Sequence, residues 1–317
     1  VTPDQRRELA AEQQERLLKI GALHEATWIL DSLAQLPNLD FSELRRRHAD
    51  ILFRREANEP LAYILGSWSF RTHEFFVGPG VLIPRPETEE LVEAVLKTLH
   101  NTESSATKIF KDRFRIADLG AGSGCIGLSI VADLIESLCL EGLDKESASA
   151  RIELDLVESS PAALPWLQRN VEAFRKKLGS ARVRVVHKSW SQWGLEPGEW
   201  DLVVSNPPYV TQDELNNCDE SVRAYEPVSA LLPGNLSDFS DATGAYREIF
   251  ELARIRLVSG GWLWFELGTH QGAWIKDYAM SLGFWNDVRT MRDLARKVRF
   301  FCARRSHPAA DEESFGG

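Results

Sequence analysis

Arg115-Ile116-Ala117-Asp118-Leu119-Gly120-Ala121-Gly122-Ser123-Gly124 decides the fold of this 317-residue chain. Residues 115–119 read as a strand, glycines then alternate with small residues, and 125–132 reads as an apolar helix. Glycines at a strand-to-helix turn let a ligand approach the backbone closely, and the first turn of the helix offers unpaired N–H groups. Such a turn is shared by dinucleotide and S-adenosylmethionine (AdoMet) sites, and it also serves simple packing.

Outward from this turn the same rhythm repeats. Further strands are predicted at 153–158, 183–187, 202–205, 262–267 and 298–303, with helical patterns between most of them. Strands alternating with helices predict a Rossmann-like, doubly wound α/β sheet. Trp262, Trp264 and Phe265 read as sheet core, and Glu266 at the end of that strand reads as structural. Residues 133–152 exceed a simple crossover, so 141–150 is expected to be a surface insertion.

Toward the N-terminus only helical spacing is found. A start at Thr2-Pro3-Asp4 precedes Leu9, Leu17, Leu18 and Ile20. Two more helices are predicted at 24–36 and 41–55, separated by Pro37-Asn38, with Ser42 as the cap of the second. Arg45-Arg46-Arg47 reads as a solvated face of that helix. Residues 1–65 are therefore predicted to form a small all-helical domain. In 66–86, Phe70, Phe75, Phe76 and Val77 precede Gly78-Pro79-Gly80, and Val81-Leu82-Ile83 follows. Two apolar runs around such a turn predict a linking β-hairpin. Helical spacing resumes at 87–100 and opens the larger domain, 87–305, with 306–317 as a polar, flexible tail.

The second predicted strand ends in Val157-Glu158. An acid at that position can accept hydrogen bonds from both hydroxyls of a ribose. Glu158 lies further from the glycines than the usual spacing of about 20 residues, an excess that the insertion explains. Asp155 competes for the role but stands mid-strand. The strand at 202–205 runs directly into Asn206-Pro207-Pro208-Tyr209. Proline fixes φ and removes N–H donors, which leaves backbone carbonyls and the Asn206 amide oxygen free to accept from a substrate NH₂ group. Acceptors on both N–H bonds orient the nitrogen and stabilise the positive charge that grows on it during alkylation. Tyr209 can supply an aromatic wall.

Bulk properties narrow the classes. With 44% hydrophobic and 26% charged residues the chain is neither disordered nor collagen-like. Lys and Arg number 37 against 47 Asp and Glu, a net charge of −10 that disfavours generic duplex nucleic-acid binding. No apolar run is long enough to cross a bilayer. The 4 cysteines lack CxxC spacing and the 7 histidines are scattered, so no metal site is expected and a reducing compartment is. The polar N-terminus has no signal-peptide core, but the chain begins at Val1, which leaves an upstream targeting segment open.

Glu59-Pro60-Leu61-Ala62-Tyr63-Ile64-Leu65-Gly66, then Phe70 and Phe75, then Val81-Leu82-Ile83-Pro84-Arg85-Pro86-Glu87-Thr88-Glu89 closely resemble the HemK/PrmC family. These are protein-(glutamine-N5) methyltransferases that modify the Gly-Gly-Gln motif of class I peptide chain release factors. The resemblance continues through the glycine turn, 205–209, Arg223, Tyr225-Glu226-Pro227, Ala230-Leu231 and Asp293-Leu294-Ala295, and so spans nearly the whole chain.

This resemblance implies a class I AdoMet methyltransferase fold. It implies that Asn206 and the Pro207 carbonyl hold the glutamine amide while Pro208 and Tyr209 shape its slot. It also implies AdoMet contacts from Gly120, Ala121, Gly122, Ser123, Gly124, Glu158, Trp190 and Asn206, with S-adenosyl-L-homocysteine as product. Arg85, Glu87, Arg223 and Glu226 either order the hairpin and the later loop around substrate or form structural ion pairs at the domain junction. Two positions depart from the family: Ser189 precedes Trp190 where an Asp is usual, and Glu158 stands where Asp is commoner. The insertion suggests a eukaryotic member, in the mitochondrial matrix or the cytoplasm. A release factor is the expected partner of a monomeric enzyme without direct nucleic-acid contact. Asn-Pro-Pro-Tyr also occurs in N6-adenine nucleic-acid methyltransferases, which stand as one alternative, and a non-catalytic methyltransferase-fold binding protein is the other.

Overall fold

The computed structural model describes residues 3–35, 40–101, 113–233 and 242–306. Thr2, the breaker Pro37-Asn38 and the tail from 307 onward lie outside these residues. Helices α1 (Pro3–Lys19), α2 (Ala26–Ala34), α3 (Phe41–Glu56) and α4 (Leu61–Leu65) bury Leu9, Leu17, Ile29, Leu33, Leu44, Leu52 and Leu61 in one cluster. Helices α1 to α3 each bury one apolar stripe and α4 is apolar throughout, so each is stable only against its neighbours. The Gln13 amide joins them, donating to the Ala26 carbonyl at 2.6 Å and meeting the buried His48 ring at 3.0 Å. Asp40, not Ser42, caps α3: its carboxylate accepts the Glu43 N–H at 2.8 Å, and Ser42 lies already inside the helix and donates to Asp40. His24 falls in a short 3₁₀ turn, Leu23–Glu25, that precedes α2.

The hairpin comes earlier than its glycines suggest. Strands β1 (Ser67–Phe70) and β2 (His73–Phe76) pair antiparallel around Arg71-Thr72. Arg71 holds a left-handed φ of 53° while its guanidinium bonds Asp133, Glu93 and the Glu89 carbonyl. Gly78-Pro79-Gly80 is therefore not the hairpin turn, and 81–83 is not a strand. A Cβ on Gly78 would lie 2.2 Å from the Trp166 ring, whose Nε1 donates to the Pro79 carbonyl at 3.2 Å. Gly78 admits an indole, and Gly80 admits Ala162, whose Cβ would lie 2.7 Å from an added Cβ.

Helix α5 (Pro86–Asn101) lays Leu91, Val92, Val95 and Leu99 on the sheet core. The sheet alternates β3 (Phe114–Leu119), α6 (Cys125–Leu140), α7 (Lys145–Ser149), β4 (Ile152–Glu158), α8 (Leu164–Leu178), β5 (Arg182–His187), α9 (Trp190–Gly194) and β6 (Trp200–Ser205). After the short helices α10 (Gln212–Asn216) and α11 (Glu220–Tyr225) come α12 (Gly244–Arg256), β7 (Leu257–Glu266), α13 (Gly272–Ser281), β8 (Trp285–Arg292) and β9 (Val298–Arg305). The spatial order is β5-β4-β3-β6-β7-β9-β8, parallel except for β9, which runs against both β7 and β8. Ile116, Leu154 and Leu202 face one core layer, while Ala117, Val157 and Val203 face the other. Burial on both faces explains why the central strands are apolar almost throughout. Trp262, Trp264 and Phe265 are sheet core.

Two expectations need correction. Strand β8 had no counterpart in the sequence reading, and the stretch at 141–150 is more than a surface insertion. Asp144 caps α7 within it, and Ala148 and Ser149 are fully buried.

Candidate active site

The chain leaves β3 toward β4 and β5 on one side, and β6 begins the run toward β7 on the other. A crevice forms at the carboxyl ends of strands where the order reverses in this way. Leu119 and Ser205 are register partners there, and the Ser205 hydroxyl donates to the Leu119 carbonyl at 2.7 Å, pinning the two strand ends together. A cavity of about 350 Å³ opens above them.

Gly120, Ala121, Gly122 and Ser123 form one wall, with Glu158 and Trp190 beside them. Gly120 and Gly122 take φ values of 72° and 56°, a region that favours glycine, and a Cβ on Gly120 would touch the Trp190 ring at 3.4 Å. Glu158 accepts the Gly122 N–H at 2.8 Å and the Ser160 N–H at 2.7 Å. A carboxylate offers about four acceptor sites, so two remain for a ligand. Asp155 is committed elsewhere, to Arg184 and to the Trp193 indole at 3.2 Å. Ser189 caps α9 in a reciprocal capping box and so sets the entry to Trp190. Beneath the turn, Asp118 accepts the Gly127 N–H at 2.9 Å, and burial pushes its carboxyl up to about 7. Asn170 is fully buried and donates to both the Ser123 and Phe76 carbonyls at 2.9 Å, tying the turn to the hairpin.

These groups fit AdoMet. The acid at the end of β4 has free acceptors for ribose hydroxyls, the indole offers a flat apolar face, and the glycine wall leaves room for close approach. The volume lies in the range of roughly 300–1,000 Å³ typical of small-molecule sites. Gly124 does not line the cavity. It is the N-cap of α6, and a Cβ there would collide with Leu167 at 2.8 Å.

The same cavity is also lined by Asn206, Pro208, Arg85 and Thr88. Pro207 is buried, and Tyr209 turns its ring into the core layer between the sheet and α12, with its hydroxyl donating to Glu266 at 2.8 Å. Burial pushes that phenol well above its usual range. Tyr209 is thus anchored behind the cavity instead of forming its wall. Arg85 lines the cavity and pairs with Glu226 at 2.6 Å, whereas Glu87 is outside it and Arg223 is exposed. The segment after Tyr209 folds back, with the Val210 N–H bonded to the Leu231 carbonyl at 3.0 Å. It also reaches the helical region, through Tyr225 to the Ala57 carbonyl at 3.0 Å and Asn58 to Glu220 at 3.2 Å.

Thr88 and Gln271 escaped the sequence reading, and Glu266 was read there only as structural. Thr88 stands beside Asn206, Glu266 binds both Thr88 and Tyr209, and Gln271 donates to the Tyr209 carbonyl at 3.1 Å. An acid inside the apolar run Trp262–Leu267 was the one available signal.

A sheet of this order, with a cofactor wall on β3 and β4 and an Asn-Pro-Pro-Tyr turn on β6, defines a class I AdoMet-dependent methyltransferase. Residues 102–221 match the Methyltransferase small domain family. A release factor glutamine methyltransferase of Bacteroides thetaiotaomicron is 34% identical over 263 residues, covering 82% of this chain and 81% of that protein. A namesake from Neisseria gonorrhoeae is 36% identical over 255 residues, covering 80% and 79%. Another, from Nitratidesulfovibrio vulgaris, is 33% identical over 259 residues, covering 81% and 77%. The chain belongs to the release factor glutamine methyltransferase family.

Proposed function

We propose that this enzyme methylates the side-chain amide nitrogen of the glutamine in the Gly-Gly-Gln motif of class I peptide chain release factors. The observation that carries the reading is the placement of Asn206 on the same cavity as Glu158 and the glycine turn. An acceptor side chain there shares one small space with the residues that fit the cofactor. Bound in that space, AdoMet supplies a methyl group on a sulfonium, an electrophile that needs no activation.

The residues of the chain then have two tasks. Glu158, the glycine turn and Trp190 hold the donor. Asn206 and the Pro207 carbonyl accept the two N–H bonds of the glutamine amide, which turns the nitrogen toward the methyl and offsets its growing positive charge. Arg85 and Glu226 hold the loop that borders this side. No covalent enzyme intermediate is involved, and the extra proton leaves the alkylated nitrogen after transfer.

The net charge of −10 suits a basic protein partner better than nucleic acid. The enzyme acts as a monomer in a reducing compartment, the mitochondrial matrix or the cytoplasm, consistent with cysteines that are all free. The reading is tested by incubating the protein with methyl-labelled AdoMet and a class I release factor, with a Gly-Gly-Ala version in parallel. Label on the first and not the second is expected. Label on neither, or on added RNA instead, would overturn it.

A further inference from the structure

Asn206 must present its oxygen, not its NH₂, to a substrate amide, yet the two ends of a carboxamide have nearly the same shape. Something has to choose between them. Glu266 ends β7 one register step beyond Phe265, the partner of Ser205, so it sits next to the start of the Asn-Pro-Pro-Tyr turn. It is 1% exposed. Thr88, in the first turn of α5, donates its hydroxyl to one Glu266 oxygen at 2.6 Å, and Tyr209 donates to the other at 2.8 Å. Asn206 Nδ2 approaches the same Thr88 oxygen at 3.3 Å.

A hydroxyl has one hydrogen. The hydrogen of Thr88 is spent on Glu266, so its oxygen shows Asn206 only lone pairs. Those can be met by the NH₂ end of the amide and not by its oxygen. We infer that Glu266, through Thr88, fixes which end of the Asn206 amide faces the acceptor nitrogen, and that both are positioning residues for methyl transfer. The inference rests on the proposed role of Asn206 as acceptor for the substrate amide. The same carboxylate anchors the far end of the turn, because Tyr209 is held by Glu266 at its hydroxyl and by Gln271 at its carbonyl. Were the Thr88 hydroxyl free to point at Asn206, a flipped amide would be equally well satisfied and would set N–H against N–H in the substrate slot.

The test uses the full chain and a class I release factor, with kcat, the release factor KM and AdoMet affinity measured for Thr88→Ser, Thr88→Val and Glu266→Gln. Thr88→Val keeps the shape and loses the relay. Its kcat should fall roughly 10- to 100-fold, as for small misplacements of reacting groups, with KM and AdoMet affinity within about 2-fold of wild type. Thr88→Ser should recover to within about 3-fold, and Glu266→Gln, whose single amide oxygen can accept from only one of the two hydroxyls, should give a kcat between those of wild type and Thr88→Val. Wild-type kcat in Thr88→Val, or no rescue by Ser, would overturn the inference. Thr88→Val decides the matter even if Glu266→Gln does not fold. A wild-type enzyme that leaves the release factor unlabelled would instead remove the functional reading beneath it.

Discussion

The Arg85 guanidinium lies 2.6 Å from the Glu226 carboxylate, closing a span of 141 residues across the mouth of the cavity. The second oxygen of Glu226 accepts the Ile83 N–H at 3.2 Å, so one carboxylate fastens the segment before α5 to the segment after α11. The pair is uneven: the Glu226 side chain is 2% exposed and that of Arg85 is 31%. Glu226→Ala should therefore cost about 2–3 kcal/mol, the scale of hydrogen bonds to charged groups. It should raise the release factor KM more than it weakens AdoMet. Denaturant unfolding checks the first half, and release factor kinetics beside AdoMet calorimetry check the second.

Asn170 makes a second long-range tie, with three bonds to the Phe76 and Ser123 backbones. Asn170→Ala would strand those groups in a buried place. We expect a stability loss of about 2–4 kcal/mol and weaker AdoMet binding, because Ser123 belongs to the cofactor wall. Unchanged AdoMet affinity in a folded variant would show that the glycine turn holds its shape alone.

The fold was legible where one local rule governs. The strands flanking the glycine turn are apolar because both faces are covered, and Glu158 and Asn206 stand at their ends, where the pattern of burial breaks. Edge elements were not. Strand β8 carries Asn286, Asp287, Arg289 and Arg292 on exposed or half-buried positions, so it lacks the apolar run that marks a buried strand. The hairpin turn was misplaced because Arg71 takes a left-handed conformation without being glycine, held there by its ion pairs. Thr88 and Glu266 meet across 178 residues, and no spacing in one sequence announces such a contact.

Asp118 predicts a pH dependence. Burial, aided by the Glu158 charge and opposed by the Gly127 N–H, pushes its carboxyl up to about 7. Between an ordinary Asp value near 4 and about 7, the folded chain keeps a proton that the unfolded chain has lost. Stability contributed by that proton is present at the acid end and declines as pH rises through the window. The ligand-free protein should lose on the order of 5 °C in Tm from this group between pH 4.5 and 7.5, and Asp118→Asn should remove that part of the decline. Parallel Tm curves for the two proteins would contradict the assignment.

Glu158 can be separated from the acceptor side. Glu158→Ala removes the proposed ribose acceptor and releases the Gly122 and Ser160 N–H groups, so AdoMet affinity should fall about 10- to 100-fold, equivalent to roughly 1.4–2.8 kcal/mol. At saturating AdoMet, kcat should recover to within several-fold of wild type. Titration calorimetry and a kcat measured at high AdoMet check both.

The most direct measurement is Asn206→Ala, read by single-turnover methyl transfer to a release factor and by AdoMet calorimetry on the same preparation. Loss of the acceptor should slow transfer about 10²- to 10³-fold, the scale found for a removed transition-state hydrogen bond. AdoMet affinity should stay within about 3-fold of wild type. Equal losses in rate and affinity would make Asn206 a cofactor ligand and contradict its role in holding the glutamine nitrogen.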